Sequence, residues 1–114
     1  MNAVVLRGNA ELVLESRSVP ARGSGEALVR VSTVGVCGSD IPRAFENGAY
    51  HYPLVLGHEF VGVVEECEPE NGFSPGDRVA VFPLIPNHAD PINQIGEYAV
   101  SRGYDYFGSR RDGG

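Results

Sequence analysis

The chain has 114 residues, a formal net charge of −6, 42% hydrophobic residues and 21% charged residues. That length corresponds to one small domain, and the composition fits neither a disordered chain nor a membrane-spanning helix. All nine cationic side chains are arginines and only Arg110 and Arg111 are adjacent, so the clustered basic surface that nucleic-acid phosphates require is absent.

Residues 3–6 form a short β-branched run, Gly8-Asn9 marks a turn, and residues 11–14 alternate polar and apolar. The chain therefore opens with a predicted hairpin. Segment 20–25 (PARGSG) is a loop by composition. Residues 26–34 carry the strongest strand pattern, and Gly35-Val36-Cys37-Gly38 breaks it, which puts Cys37 at a strand end. Ser39 suits a helix N-cap, Asp40 suits the first turn through the helix dipole, and Pro42 is tolerated there. A short helix is predicted over 40–46, ended at Asn47-Gly48. Residues 50–56 (YHYPLVL) read as extended, Gly57 turns the chain into His58-Glu59, and 60–66 (FVGVVEE) is a further strand. Gly62 inside it marks a bulge or a close backbone approach.

Pro75-Gly76, between Ser74 and Asp77, predicts a type II turn into a strand over 78–82. Segment 83–103 has weak periodicity and reads as a long excursion without a clear strand, and 104–108 suits a strand entering another hairpin. Fifteen glycines and eight prolines favour short strands over long helices, so the expected fold class is mainly β. No secretory signal follows Met1, and Cys37 and Cys67 are expected as free thiols of a cytoplasmic protein.

Cys37 and His58 lie 21 residues apart, across the predicted helix and its extended return. That connection can bring them to one point, and a thiolate with an imidazole is a common starting pair for catalytic zinc, which keeps one position for water or substrate. Asp40 could accept the other ring N–H of His58 and fix its tautomer. Ser39 could pass the proton of a substrate hydroxyl toward solvent, because an alcohol must lose that proton before its hydride leaves. On spacing alone, an inert buried thiol for Cys37 and simple capping for Ser39 stay open. Glu59 could ligate metal, pair with an arginine or end a strand. Cys67 reads as a spectator, and His51 and His88 as surface residues.

Val36-Cys37-Gly38-Ser39-Asp40, Gly57-His58-Glu59-Phe60-Val61-Gly62-Val63-Val64 and Pro75-Gly76-Asp77-Arg78-Val79 occur in this order. Together they resemble the N-terminal signatures of the zinc-dependent medium-chain alcohol and polyol dehydrogenases. The similarity extends over essentially the whole chain, toward the galactitol-1-phosphate and sorbitol dehydrogenase branch. Supporting residues are Ile41-Pro42-Arg43, Asn47-Gly48-Ala49 with Tyr52-Pro53, and the terminal Gly108-Ser109-Arg110-Arg111-Asp112-Gly113-Gly114.

The resemblance implies a GroES-like β-barrel with short helices, residues 1–114 being the N-terminal part of a catalytic domain. It implies an enzyme that oxidises a secondary alcohol of a polyol or polyol phosphate with NAD or NADP and one catalytic zinc. Cys37, His58 and Glu59 are carried over as metal ligands, Ser39 as proton relay and Asp40 as the partner of His58, so that Ser39, Asp40 and Glu59 form the catalytic set. A further carboxylate ligand and a Rossmann cofactor domain are expected beyond residue 114, and no G-x-G-x-x-G occurs within the chain. The full-length enzyme is expected to be a homo-oligomer acting on a small polyol, with neither nucleic acid nor membrane as partner.

Relatives with a structural zinc hold it in a four-cysteine lobe. Here the lobe over 83–103 has Asn87, Asp90, Asn93 and Ser101 at those positions, which cannot make a thiolate site. No structural zinc is therefore expected, and the lobe should be held by packing or left mobile. Alone, the chain is expected to be inactive. Tyr50, Tyr52 and Phe45 are candidates to line a substrate pocket, and Arg43 to meet a phosphate. The alternatives are a non-catalytic binding or interaction module and a zinc-independent reductase of the same superfamily.

Overall fold

The computed structural model describes residues 1–114. Strands β1 (Asn2–Gly8) and β2 (Glu11–Ser16) form the opening hairpin, and β4 (Leu54–Val55) joins β1 on its other side, giving the antiparallel order β2-β1-β4. Strand β1 is central in that sheet, and its adjacent Val5 and Leu6 are both fully buried. A second antiparallel sheet has the order β3-β5-β6, from β3 (Leu28–Gly35), β5 (Glu59–Glu66) and β6 (Arg78–Ala80). Along β5, Phe60, Gly62 and Val64 are buried at period two, so one face packs inward. With Ala44, Leu54 and Val55 these residues make a small core, and a fully buried Val or Leu side chain contributes about 1.5–3 kcal/mol.

Gly62 meets the expectation in both forms. A Cβ there would lie 2.4 Å from the Arg30 carbonyl oxygen, and the β3–β5 register shifts between Val31 and Thr33, opposite Gly62 and Val61. The type II turn is present as well, with Gly76 at φ 98° and the Asp77 N–H donating to the Ser74 carbonyl at 3.0 Å.

Helix α1 (Asp40–Phe45) fills the predicted place, but Ser39 does not cap it. Ser39 has helical backbone angles (φ −77°, ψ −17°), which turn its hydroxyl away from the first-turn amides. The other end of α1 meets the first hairpin, where Ala10 N–H donates to the Ala44 carbonyl at 2.7 Å. Residues 50–53 are bends rather than strand, with a cis Tyr52–Pro53 peptide.

The last part of the chain departs furthest from expectation. A two-residue strand, β7 (Leu84–Ile85), lies inside the supposedly strandless segment and pairs with β8 (Asp105–Tyr106), so the excursion is the loop of a wide hairpin. Strand β8 is correspondingly shorter than predicted, and β6 stops at Ala80. The tail then folds back on the turn before β5. Gly113 N–H donates to the Val55 carbonyl and the Asp112 carboxylate accepts from Val55 N–H at 2.8 Å. No helix is long and apolar enough to cross a membrane. The molecule is mainly β.

Candidate metal centre

Three of the predicted site residues converge. Cys37 lies two residues beyond the end of β3, His58 follows the Gly57 turn, and Glu59 opens β5 beside Gly35 of β3. Gly57 has φ 102°, and a Cβ on it would sit 2.7 Å from Val34 and 2.8 Å from the Gly114 oxygen, so the approach to His58 requires glycine. Gly35 leaves room for the Glu59 carboxylate, whose Oε2 would lie 2.9 Å from a Cβ there. The Cys37 Sγ, one His58 ring nitrogen and a Glu59 oxygen all lie within 4.8 Å of one another. A closed tetrahedral zinc set has donors roughly 3.5 Å apart, so these three surround a point without collapsing onto each other. Thiolate, imidazole and carboxylate together are a donor set that fits zinc and leaves a fourth position free. Both cysteines are free thiols, and Cys67 points elsewhere, to the Phe73 carbonyl at 3.3 Å.

Asp40 holds this cluster from behind. It is only 6% exposed, and its Oδ2 accepts the Cys37 backbone N–H at 3.0 Å. Its Oδ1 lies 3.3 Å from His58 Nδ1 and 3.5 Å from Arg43. The His58 contact misses hydrogen-bond direction, leaving Nδ1 buried without a partner. With Nδ1 facing Asp40, Nε2 is the nitrogen left for a metal. The ring of Tyr106 packs on His58 with centroids 5.8 Å apart.

A cleft of about 190 Å³ opens beside His58. Ser39, Arg43, Tyr50, Tyr104 and Arg110 line it, and Tyr106 and Ser109 complete its wall. Ser39 is exposed there, with its hydroxyl free of any capping bond. Of the three aromatic candidates, Tyr50 lines the cleft while Tyr52 and Phe45 do not. Tyr52 instead takes the Ala49 N–H on its hydroxyl at 3.1 Å. Sequence reasoning missed Tyr104, Tyr106, Ser109 and Arg110, which the returning tail brings to His58. His51 meets the Arg110 carbonyl at 3.1 Å, and His88 is exposed.

The lobe over 83–103 is fastened by its own polar side chains rather than by an apolar core. Asn87 donates to the Arg102 carbonyl at 2.9 Å and accepts the Ala89 N–H at 3.1 Å. Asp90 accepts from Ile92 N–H at 3.1 Å and Arg102 N–H at 2.6 Å, and Asn93 donates to the Asn87 carbonyl. The Arg102 amide, and after it that of Ile92, holds the Asp90 carboxyl below its usual range. Asn93 and Ser101 are buried, and their Oδ1 and Oγ have no partner.

Residues 23–114 match the alcohol dehydrogenase GroES-like domain family. The galactitol 1-phosphate 5-dehydrogenase of Escherichia coli strain K12 is 43% identical over 103 residues, covering 90% of this chain and 30% of that protein. The sorbitol dehydrogenase of Pongo abelii is 38% identical over 105 residues, covering 87% and 29%. The crystal structure of galactitol-1-phosphate dehydrogenase from Escherichia coli superposes with a TM-score of 0.89 at 38% identity, over 100% of this chain and 34% of the other. The chain thus spans about a third of the length of the relatives it matches. With the family match running from before β3 to the last residue, across all three converging side chains, the chain belongs to the alcohol dehydrogenase GroES-like domain family.

Proposed function

We propose that the chain is the N-terminal catalytic-domain portion of a zinc-dependent, NAD(P)-linked dehydrogenase that oxidises a secondary alcohol of a polyol or polyol phosphate. The observation that carries this reading is the convergence of Cys37, His58 and Glu59 within 4.8 Å beside an open cleft. Zinc, when bound by these residues, polarises an alcohol oxygen and lowers the pKa of its proton.

The chain's own residues supply position and proton transfer. Asp40 orients His58 and anchors the Cys37 backbone, so two ligands share one support. Ser39, exposed in the cleft, accepts the proton of the substrate hydroxyl and donates its own to water. A nicotinamide dinucleotide, when bound, would take the hydride from the carbon that bears this hydroxyl, which would leave a ketone. The dinucleotide site and a further carboxylate ligand belong to other parts of a longer protein, and without them the chain is inactive. The 83–103 lobe carries no structural zinc, because its amides, carboxylate and hydroxyl are poor zinc donors and most already hold backbone groups.

Metal analysis tests this reading. About one zinc per chain is expected, lost in Cys37→Ser and in His58→Ala. A metal-free protein indifferent to both changes would sink the proposal, and a second zinc per chain would overturn the account of the lobe.

A further inference from the structure

Arg110 is set apart from most of the other arginines. Six of the nine pair with a carboxylate: Arg7, Arg17, Arg22, Arg30, Arg43 and Arg111. Arg110 has no acidic partner. Its guanidinium lies over two aromatic rings instead, 4.6 Å from the centroid of Tyr104 and 5.5 Å from that of Tyr50. Ring faces hold a cation in place without neutralising it, and they leave its N–H groups available. Its backbone is tied down on both sides, the N–H to the Tyr106 carbonyl at 3.0 Å and the carbonyl to His51 at 3.1 Å.

Arg43 lines the same cleft, and the single carboxylate near it, Asp40, is shared with His58 and the Cys37 amide. Arg43 and Arg110 are thus both in the wall of the cleft, and no carboxylate lines it, on a chain whose net charge is −6. Two guanidinium forks facing one cavity match a phosphate dianion, whose oxygens accept from both, whereas a carboxylate is satisfied by one.

We propose that Arg110, braced by Tyr50 and Tyr104 and assisted by Arg43, is an anion subsite for a phosphate monoester on the substrate. The inference rests on reading the cleft as the substrate site, and it narrows the substrate to a phosphorylated polyol. A phosphate of the dinucleotide is the other possible source of the same chemistry. The substrate is favoured because His58 and Ser39 line the same small cleft. A single molecule can then place its phosphate on Arg110 and its hydroxyl beside His58.

Calorimetric titration of the purified protein with glycerol 3-phosphate, glycerol and NAD, with and without cobalt, tests this. Glycerol 3-phosphate is expected to bind and glycerol not to. Arg110→Gln should weaken the phosphate ester by about 10- to 100-fold, as losing hydrogen bonds to a charged group does. Arg43→Gln should weaken it less, and phosphate binding should persist without metal. The cobalt–thiolate absorption of Arg110→Gln should match wild type, which shows that the variant is folded around Cys37. Equal ester affinity in Arg110→Gln, no binding to wild type, or competition by NAD at Arg110 would each overturn the proposal. Cobalt absorption without phosphate binding removes the anion subsite alone, and Arg110-dependent phosphate binding without cobalt absorption removes the metal reading alone.

Discussion

The Cys37–His58–Glu59 cluster and the 83–103 lobe are both polar groups gathered largely by loops, and they use their lone pairs in opposite ways. In the cluster, Asp40 takes the supporting contacts, receiving the Cys37 amide and facing both His58 and Arg43, while the thiol and the Glu59 carboxylate point at a common space. In the lobe the comparable side chains hold the backbone themselves. Asn87 and Asp90 are engaged with Ala89, Ile92 and Arg102, and only Asn93 Oδ1 and Ser101 Oγ are left over. Donors stay free when something else supports them, and become structural staples when nothing does.

The comparison breaks most sharply at Cys37. Cys37→Ser should abolish the cobalt–thiolate band and cut metal affinity by more than the roughly 10- to 100-fold that losing a supporting group costs. Hydrogen exchange in the lobe should not change. A metal-dependent response of Asn87 or Asp90 resonances would show that the lobe binds metal after all. Asp40→Ala comes next. It strips the Cys37 N–H of its acceptor and leaves His58 and Arg43 without their carboxylate, so metal affinity should fall by about 10- to 100-fold while the thiolate band persists at saturating cobalt. Unchanged affinity in a titration would remove Asp40 from its supporting role.

Asn93→Ala probes the lobe in turn. It removes the bond to the Asn87 carbonyl but also the unpartnered Oδ1, so the two effects oppose and the net loss should be about 1 kcal/mol, read by denaturant unfolding. Metal stoichiometry should stay the same. A loss of bound metal would show that the two regions are coupled.

These contrasts were unevenly legible in the sequence. Strands β3 and β5, the bulge at Gly62 and the turn at Gly76 follow from local pattern, because β-branched periodicity and a required positive φ are properties of a few adjacent residues. Strands β7 and β8 do not, since two residues set no period and their pairing is made across the whole lobe. The convergence of Cys37, His58 and Glu59 was expected from motif order, and Asp40 from its place after Cys37. Arg110 and Tyr104 were hidden for a different reason. They reach the cleft because Asp112 and Gly113 dock the tail on Val55, and a Cβ at Gly113 would lie 1.9 Å from the Gly57 oxygen. That docking is a long-range contact, and its one local trace is the glycine pair that ends the chain.

The smallest expected effect is on pH. Amides of Arg102 and Ile92 hold the Asp90 carboxyl below its unfolded value of about 3.9, so the carboxylate's contribution is complete above that value and is lost as pH falls through the lower folded one. Glu15 and Glu68 are depressed too, each chiefly by hydrogen bonding to its arginine, Arg7 and Arg22. Overall stability therefore declines in acid for reasons outside the lobe, and the lobe must be read locally. Protection of the Arg102 and Ile92 amides, measured against their intrinsic exchange rates, should fall below about pH 4 in the wild type, and Asp90→Asn should flatten that dependence. The carboxylate of Glu59 has no such amide bond, and Glu59→Gln should leave the Arg102 and Ile92 profiles unchanged. If Asp90→Asn keeps the wild-type acid response, the carboxylate is not what fastens the lobe.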